Sequence, residues 1–168
     1  MKKTIIRYGL YSAISLLVLF ILGQIIGKNL DYSTQEIFGY ASMILSLLFV
    51  FFGIRHFRDQ HNNGNLKFGK GLILGLLISL IAAIAFGIID IIYIKYINPD
   101  FVTEYYNHSV EQLKATVPAE LLESKLQEME SQREMFTNPF ISFLVMTFTV
   151  FLLGLIISLL SALILQRK

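Results

Sequence analysis

The sequence predicts an all-α integral membrane protein: four transmembrane helices, with an extracytoplasmic amphipathic helical hairpin between the third and the fourth. Three observations predict it. Hydrophobic and aromatic types make up 55% of the 168 residues and charged types only 15%, against about 25% charged in soluble domains. The apolar residues fall into four runs near the length that crosses a bilayer. The charges fall between the runs, with bases gathered on one side and acids on the other. So few charges cannot cover the surface of a soluble domain, and so apolar a chain is not a disordered one. A net charge of +2 supplies no basic footprint for nucleic acid. The absence of cysteine excludes a disulfide scaffold, thiol chemistry and a cysteine-linked lipid anchor.

The elements follow in order. Residues 8–26 carry no charge and as a helix reach about 28 Å, close to the ~30 Å hydrocarbon core. Lys2, Lys3 and Arg7 ahead of them resemble the start of a signal peptide. The run is longer than the usual ~7–15 residues and no A-x-A-like cleavage pattern follows, so a retained first helix is expected. Residues 37–54 form the second run, after Ser33-Thr34-Gln35-Glu36, which has the spacing of a capping box. The third, 71–96, is interrupted only by Asp90 and Lys95. The fourth, 140–165, is introduced by Asn138-Pro139, an N-cap followed by proline at the first helical position. Residues 1–168 are expected to form a single membrane domain.

Charge sets the expected orientation. Lys2, Lys3 and Arg7, then Arg55, Arg58, Lys67 and Lys70, then Arg167 and Lys168 place nine bases on one side, with Asp59 the only acid there. On the other side Lys28, Lys95, Lys114, Lys125 and Arg133 meet ten acids. Because basic loops stay in the cytoplasm, the N- and C-termini are expected there. The segment 97–138 then lies outside. It carries eight acids and three bases, and two helices fit it. The first, from Asn98-Pro99, aligns Val102, Tyr105, Tyr106, Val110 and Leu113 on one face; the second, from Pro118, aligns Leu122, Leu126, Met129 and Phe136. They stand off as a hairpin or lie flat in the interface. The acids lack the fixed spacing of a calcium loop, and a solvated face is the simpler reading.

Several residues stand out within or beside the runs. Gly71, Gly75, Ser79, Ala83 and Gly87 recur every fourth position and form a shallow ridge that lets another helix approach closely. Gly23 and Gly27, and Gly154, Ser158 and Ala162, share that spacing. Such packing serves a monomeric bundle or a homo-oligomer equally well. Asp90, on the ridge face, is the one acid inside an apolar run, and a carboxylate there is a candidate proton or cation relay. Its depth, about twenty residues from Gly71, favours an interfacial structural role, with Tyr93 and Tyr96 in the aromatic belt. Arg55, Arg58 and Lys70 are candidate groups for anionic lipid or a partner. His56 and His61 are not spaced to share a metal from one helix face, and His108 lies across the membrane. No Walker loop, H-E-x-x-H or Ser/His/Asp order occurs.

The series Phe52-Gly53-Ile54-Arg55, Arg58-Asp59, Asn63-Gly64, Phe68-Gly69-Lys70-Gly71 and Asn98-Pro99-Asp100-Phe101 resembles a family of small four-helix membrane proteins of Bacteroidetes-group bacteria, filed as domain of unknown function 4199. The resemblance implies four spans and an extracytoplasmic helical insert, and it carries no activity, substrate or site.

The expected function is therefore that of a non-enzymatic accessory or structural membrane protein. Its lipid bilayer surrounds it, its hairpin meets a membrane or periplasmic protein, and no catalytic, cofactor or metal group is expected. The alternative is a small oligomeric transporter or channel subunit with Asp90 as its ion-coupling carboxylate. No internal inverted repeat or broken helix supports that alternative.

Overall fold

The computed structural model describes residues 1–27 and 30–167, with the side chains of Glu134 and Met135 left outside the description. Lys28, Lys168 and the Glu134 carboxylate, counted above among the charges on the two sides, therefore lie outside the described residues. The elements are α1 (Lys2–Gly27), α2 (Tyr32–His61), α3 (Phe68–Ile92) with a π-helical turn (Tyr93–Ile97) continuing it, α4 (Phe101–Thr116), α5 (Ala119–Thr137) and α6 (Pro139–Leu165). Four helices, namely α1, α2, α3 with its π turn, and α6, are long and apolar enough to cross a membrane. An isolated antiparallel bridge between Leu66 and Arg167 is the one β pairing among the described residues.

Helix ends follow local chemistry. Asp31, not Ser33, caps α2: its carboxylate accepts from the Thr34 backbone N–H at 3.0 Å and from Thr34 Oγ1 at 2.7 Å. A charged carboxylate is a stronger acceptor than a hydroxyl, so the helix starts ahead of the expected capping box. At α6, Asn138 Oδ1 accepts from the Phe140 N–H at 3.0 Å with Pro139 as the first helical residue. Helix α2 does not stop at its apolar run but continues through Arg55 and Arg58 to His61. The chain then reverses at Asn63 and Gly64, both with positive φ (50° and 79°). Gly64 adopts that conformation without steric cost.

The residues gather into two compact units. The first holds α1, α2, α3 as far as Phe86, and α6 from Met146 onward. Leu16, Leu47, Ile54, Leu74, Ile78 and Val150 are almost completely buried in its core. Backbone proximity sets this packing. A Cβ built on Gly75 would lie 2.6 Å from Ser158 Oγ and 2.8 Å from Ser158 Cβ. One on Gly71 would lie 3.3 Å from Ala162 Cβ, and one on Gly154 would collide with Ser79 Cβ. Each step of four along α3 (Gly71, Gly75, Ser79) thus meets a step of four back along α6 (Ala162, Ser158, Gly154). The two helices run antiparallel and in register, with small residues facing small residues. Elsewhere Gly9 receives the Ile81 side chain, Gly23 the Phe38 ring, and Gly53 both Tyr8 and Ile78.

Serines add hydrogen bonds to the same contacts. Ser12 Oγ donates to the Ser46 carbonyl at 2.8 Å between α1 and α2. Ser79 and Ser158 hydroxyls meet at 3.4 Å between α3 and α6. Ser46 and Ser42 donate to carbonyls one turn back in α2. An interhelical hydrogen bond in a membrane protein averages only about 0.6 kcal/mol, whereas an added methyl in a closed contact costs about 1–3 kcal/mol. Steric fit therefore decides the packing and the serines refine it.

The second unit, Gly87–Val145, contains α4 and α5 packed on one another as a hairpin. Val102, Tyr106, Val110 and Leu113 of α4 and Leu122, Leu126, Met129 and Phe136 of α5 are half-buried. Tyr105, grouped with them by periodicity, is 40% exposed and stacks on Phe101. Arg133 joins the two helices: its guanidinium lies 5.0 Å from the Tyr106 ring centroid and 3.2 Å from Glu130. The Tyr106 hydroxyl is hydrogen-bonded to Glu130, which pushes its pKa above the ordinary tyrosine value.

These contacts predict an order of sensitivities in detergent unfolding followed by helix content. Gly154→Val is expected to lower stability by about 1–3 kcal/mol, and Ser12→Ala by less than about 1 kcal/mol. Gly39→Ala, with nothing within 4 Å of an added Cβ, leaves stability unchanged or raises it by up to about 1 kcal/mol.

Candidate functional site

Two places collect the polar residues that the sequence singles out. The first is the end of α3. Asp90 is half-buried, and its Oδ2 accepts a 2.6 Å hydrogen bond from Ser142 Oγ in the first turn of α6. Ser142 itself is 2% exposed. Three residues beyond Asp90 the helix widens into the π turn, closed by the Asn98 N–H on the Tyr93 carbonyl at 2.9 Å. Single π turns recur at functional sites. Tyr93 is buried and meets Phe101 edge-on with ring centroids 5.3 Å apart, whereas Tyr96 is 70% exposed. Asn98 Nδ2 donates to Glu104 at 3.2 Å, and α4 starts at Phe101, later than Asn98-Pro99 suggested.

The second place is the basic end of the first unit. Arg58 contacts Asp59 at 2.6 Å and Arg55 approaches the same carboxylate at 3.8 Å. Arg167, from the end of the described chain, lies within electrostatic reach of Asp59 as well. Lys70 donates to Asn62 Oδ1 at 3.1 Å and sits 5.1 Å from the Phe57 ring centroid. The connection between α2 and α3 is folded back by Gly64 N–H on the Arg58 carbonyl and by Asn62 on the Asn65 carbonyl. It is then tied to the segment after α6 by two backbone hydrogen bonds between Leu66 and Arg167, each 2.9 Å. The His56 ring meets those of Tyr8 and His61, and the His61 ring meets Phe57, all at tilted angles. Among the described residues no group of His, Asp and Glu is arranged to hold a metal ion.

The small-residue ridge lies elsewhere. Gly71, Gly75 and Ser79 face α6 as described, while Ala83 and Gly87 are buried. The structure brings Arg55, Arg58 and Lys70 to one end of the first unit and leaves Asp90 in the second. Sequence reasoning did not find Ser142 or Arg167 as partners. Their signals are long-range: a serine one turn after Asn138-Pro139, and a basic residue just past the last apolar run.

The arrangement at Asp90 is a hydroxyl–carboxylate pair that tolerates an amide. Asp90→Asn keeps an acceptor for Ser142 and is expected to change unfolding stability by less than about 1 kcal/mol. Asp90→Leu strands the buried Ser142 hydroxyl and is expected to cost about 1–2 kcal/mol in the same detergent titration.

The family model described as Protein of unknown function (DUF4199) matches residues 7–167, nearly the whole chain. No curated protein and no solved structure matches it.

Proposed function

We propose, from the premise that the chain belongs to the DUF4199 family of proteins of unknown function, that it is a multi-pass protein of the bacterial inner membrane that presents its α4–α5 hairpin to a protein partner. The observation that carries this reading is the hairpin itself. Its two helices satisfy each other through half-buried apolar faces and the Tyr106–Arg133–Glu130 contacts, so it does not need lipid to cover them. Asp100, Glu104, Glu111, Glu120, Glu123 and Glu128 stay exposed along it, as do Tyr105 of α4 and Leu121 of α5. Exposed apolar side chains on an otherwise charged surface suit contact with a protein. The basic residues before α1, at the end of α2 and after α6 support cytoplasmic N- and C-terminal segments, with the acidic hairpin outside. The non-catalytic part of the reading rests on the sequence, which has no nucleophile, phosphate-loop or metal motif.

A second reading, an ion-coupled transporter or channel subunit, is favoured by one observation: the Asp90–Ser142 pair beside the π turn. One comparison separates the two. A photo-crosslinking residue in place of Tyr105, activated in native membranes, is expected to trap a second protein, and the adduct is expected to weaken with Leu121→Glu. Recovery of lipid or self-adducts alone contradicts the proposal. Proteoliposome ion flux abolished by Asp90→Asn selects the second reading instead.

A further inference from the structure

The cations at the basic end are not spread evenly. Arg55 and Arg58 share the carboxylate of Asp59, and Lys70 is held by Asn62 and Phe57. Lys67 has no carboxylate partner among the described residues, and Arg167 meets only the already shared Asp59. Both line one open groove of about 800 Å³, together with Leu66, Phe68 and Gln166. The groove is built from two distant parts of the chain. The paired 2.9 Å backbone hydrogen bonds between Leu66 and Arg167 fix them side by side, and Leu66 is 1% exposed, anchoring the bridge in the core.

Depth identifies the occupant. The groove begins about one helical turn beyond the Gly71–Ala162 contact, roughly 5 Å past it. It therefore sits where the apolar stretches of α3 and α6 give way to charge, at headgroup level rather than in the hydrocarbon or in free solvent. Half-buried Phe68 supplies an aromatic surface to the groove, and Lys67 and Arg167 supply two positive charges. A guanidinium and an ammonium together match a phosphate diester.

We propose that this groove binds the phosphate of an anionic lipid headgroup, with Lys67 and Arg167 on the charge and Phe68 against the start of the acyl chains. The site is independent of the hairpin and of Asp90. Lipid bound there bridges the α2–α3 connection to the segment after α6 and reinforces the Leu66–Arg167 bridge from outside.

The test is native mass spectrometry of the full chain in mild detergent, incubated with equal amounts of phosphatidylglycerol and phosphatidylcholine. Preferential retention of phosphatidylglycerol is expected. Lys67→Gln combined with Arg167→Gln is expected to reduce that preference by about fivefold for each cation removed. Lys2→Gln combined with Lys3→Gln, which removes equal charge away from the groove, is expected to leave it unchanged. Excess inorganic phosphate is expected not to displace the lipid, because a free anion lacks the acyl contact. Three results each overturn the proposal: equal loss in both double variants, retention untouched by the Lys67/Arg167 changes, or displacement by inorganic phosphate. Circular dichroism checks that the variants keep their helix content. If the double variant does not, Lys67→Gln alone, which removes an exposed side chain, is read by the same criteria.

Discussion

Helices in lipid gain nothing by turning one apolar face from acyl chains toward another helix, so close backbone approach has to hold them together. The first unit meets that constraint most completely between α3 and α6, where small residues face small residues. Gly75 opposite Ser158 and Ser79 opposite Gly154 leave no room for a further methyl, and each such contact recovers dispersion attraction that a lipid chain would fill less completely. Large side chains of α2 reach this seam, Ile54 at Gly75 and Leu47 at Gly154, while Ile78 of α3 fills the space left at Gly53. Helix α1 uses the same device at Gly9 and Gly23 with larger partners, Ile81 and Phe38. The outward faces stay apolar and exposed, as with Ile73, Leu77, Ile156 and Leu160, which is what a lipid-facing surface requires.

The polar ends are built by a different rule. Outside the hydrocarbon, backbone and side chains regain hydrogen-bonding partners, and the structure uses them to fasten connections rather than helices. The turn at Asn63-Gly64 and the Leu66–Arg167 bridge fold the α2–α3 connection against the segment after α6. The hairpin is fastened by Arg133, which faces an aromatic ring and a carboxylate at once. Asp90 is fastened in a similar way. Its carboxylate is answered by a serine in the first turn of α6, where the helix has only just begun.

How much of this was legible follows from the range of the signal. Four-residue spacing along α3 is written locally, so Gly71, Gly75 and Ser79 could be read as small positions on one face; the register that sets Gly71 against Ala162 could not, because it links positions 91 residues apart. The Asn138-Pro139 start of α6 was local chemistry and readable. The start of α2 was misplaced because Asp31 competes with Ser33 for the same orphan N–H groups, and the carboxylate wins. The π turn after Asp90 left no trace in the hydrophobic pattern, since it changes hydrogen-bond partners without changing which residues are apolar. Periodicity grouped Tyr105 on one face with Val102 and Tyr106, whereas in the structure it is exposed and stacks on Phe101. The groove at Lys67 and Arg167 depends wholly on a long-range backbone pairing, and no local pattern announces it.

The central claim is that α3 and α6 are locked in one antiparallel register by facing small residues. Because the chain has no cysteine, paired cysteines test it directly in native membranes under mild oxidation. Gly71→Cys with Ala162→Cys places the two Cβ atoms about 3.3 Å apart, near the ~3.5–4.5 Å of a disulfide. This pair is predicted to crosslink rapidly within one chain. Gly71→Cys with Ser158→Cys, displaced by one helical turn, is predicted to remain reduced under the same conditions. Equal crosslinking of both pairs, or crosslinks found only between chains, would contradict the register and with it the account of how the helices are held.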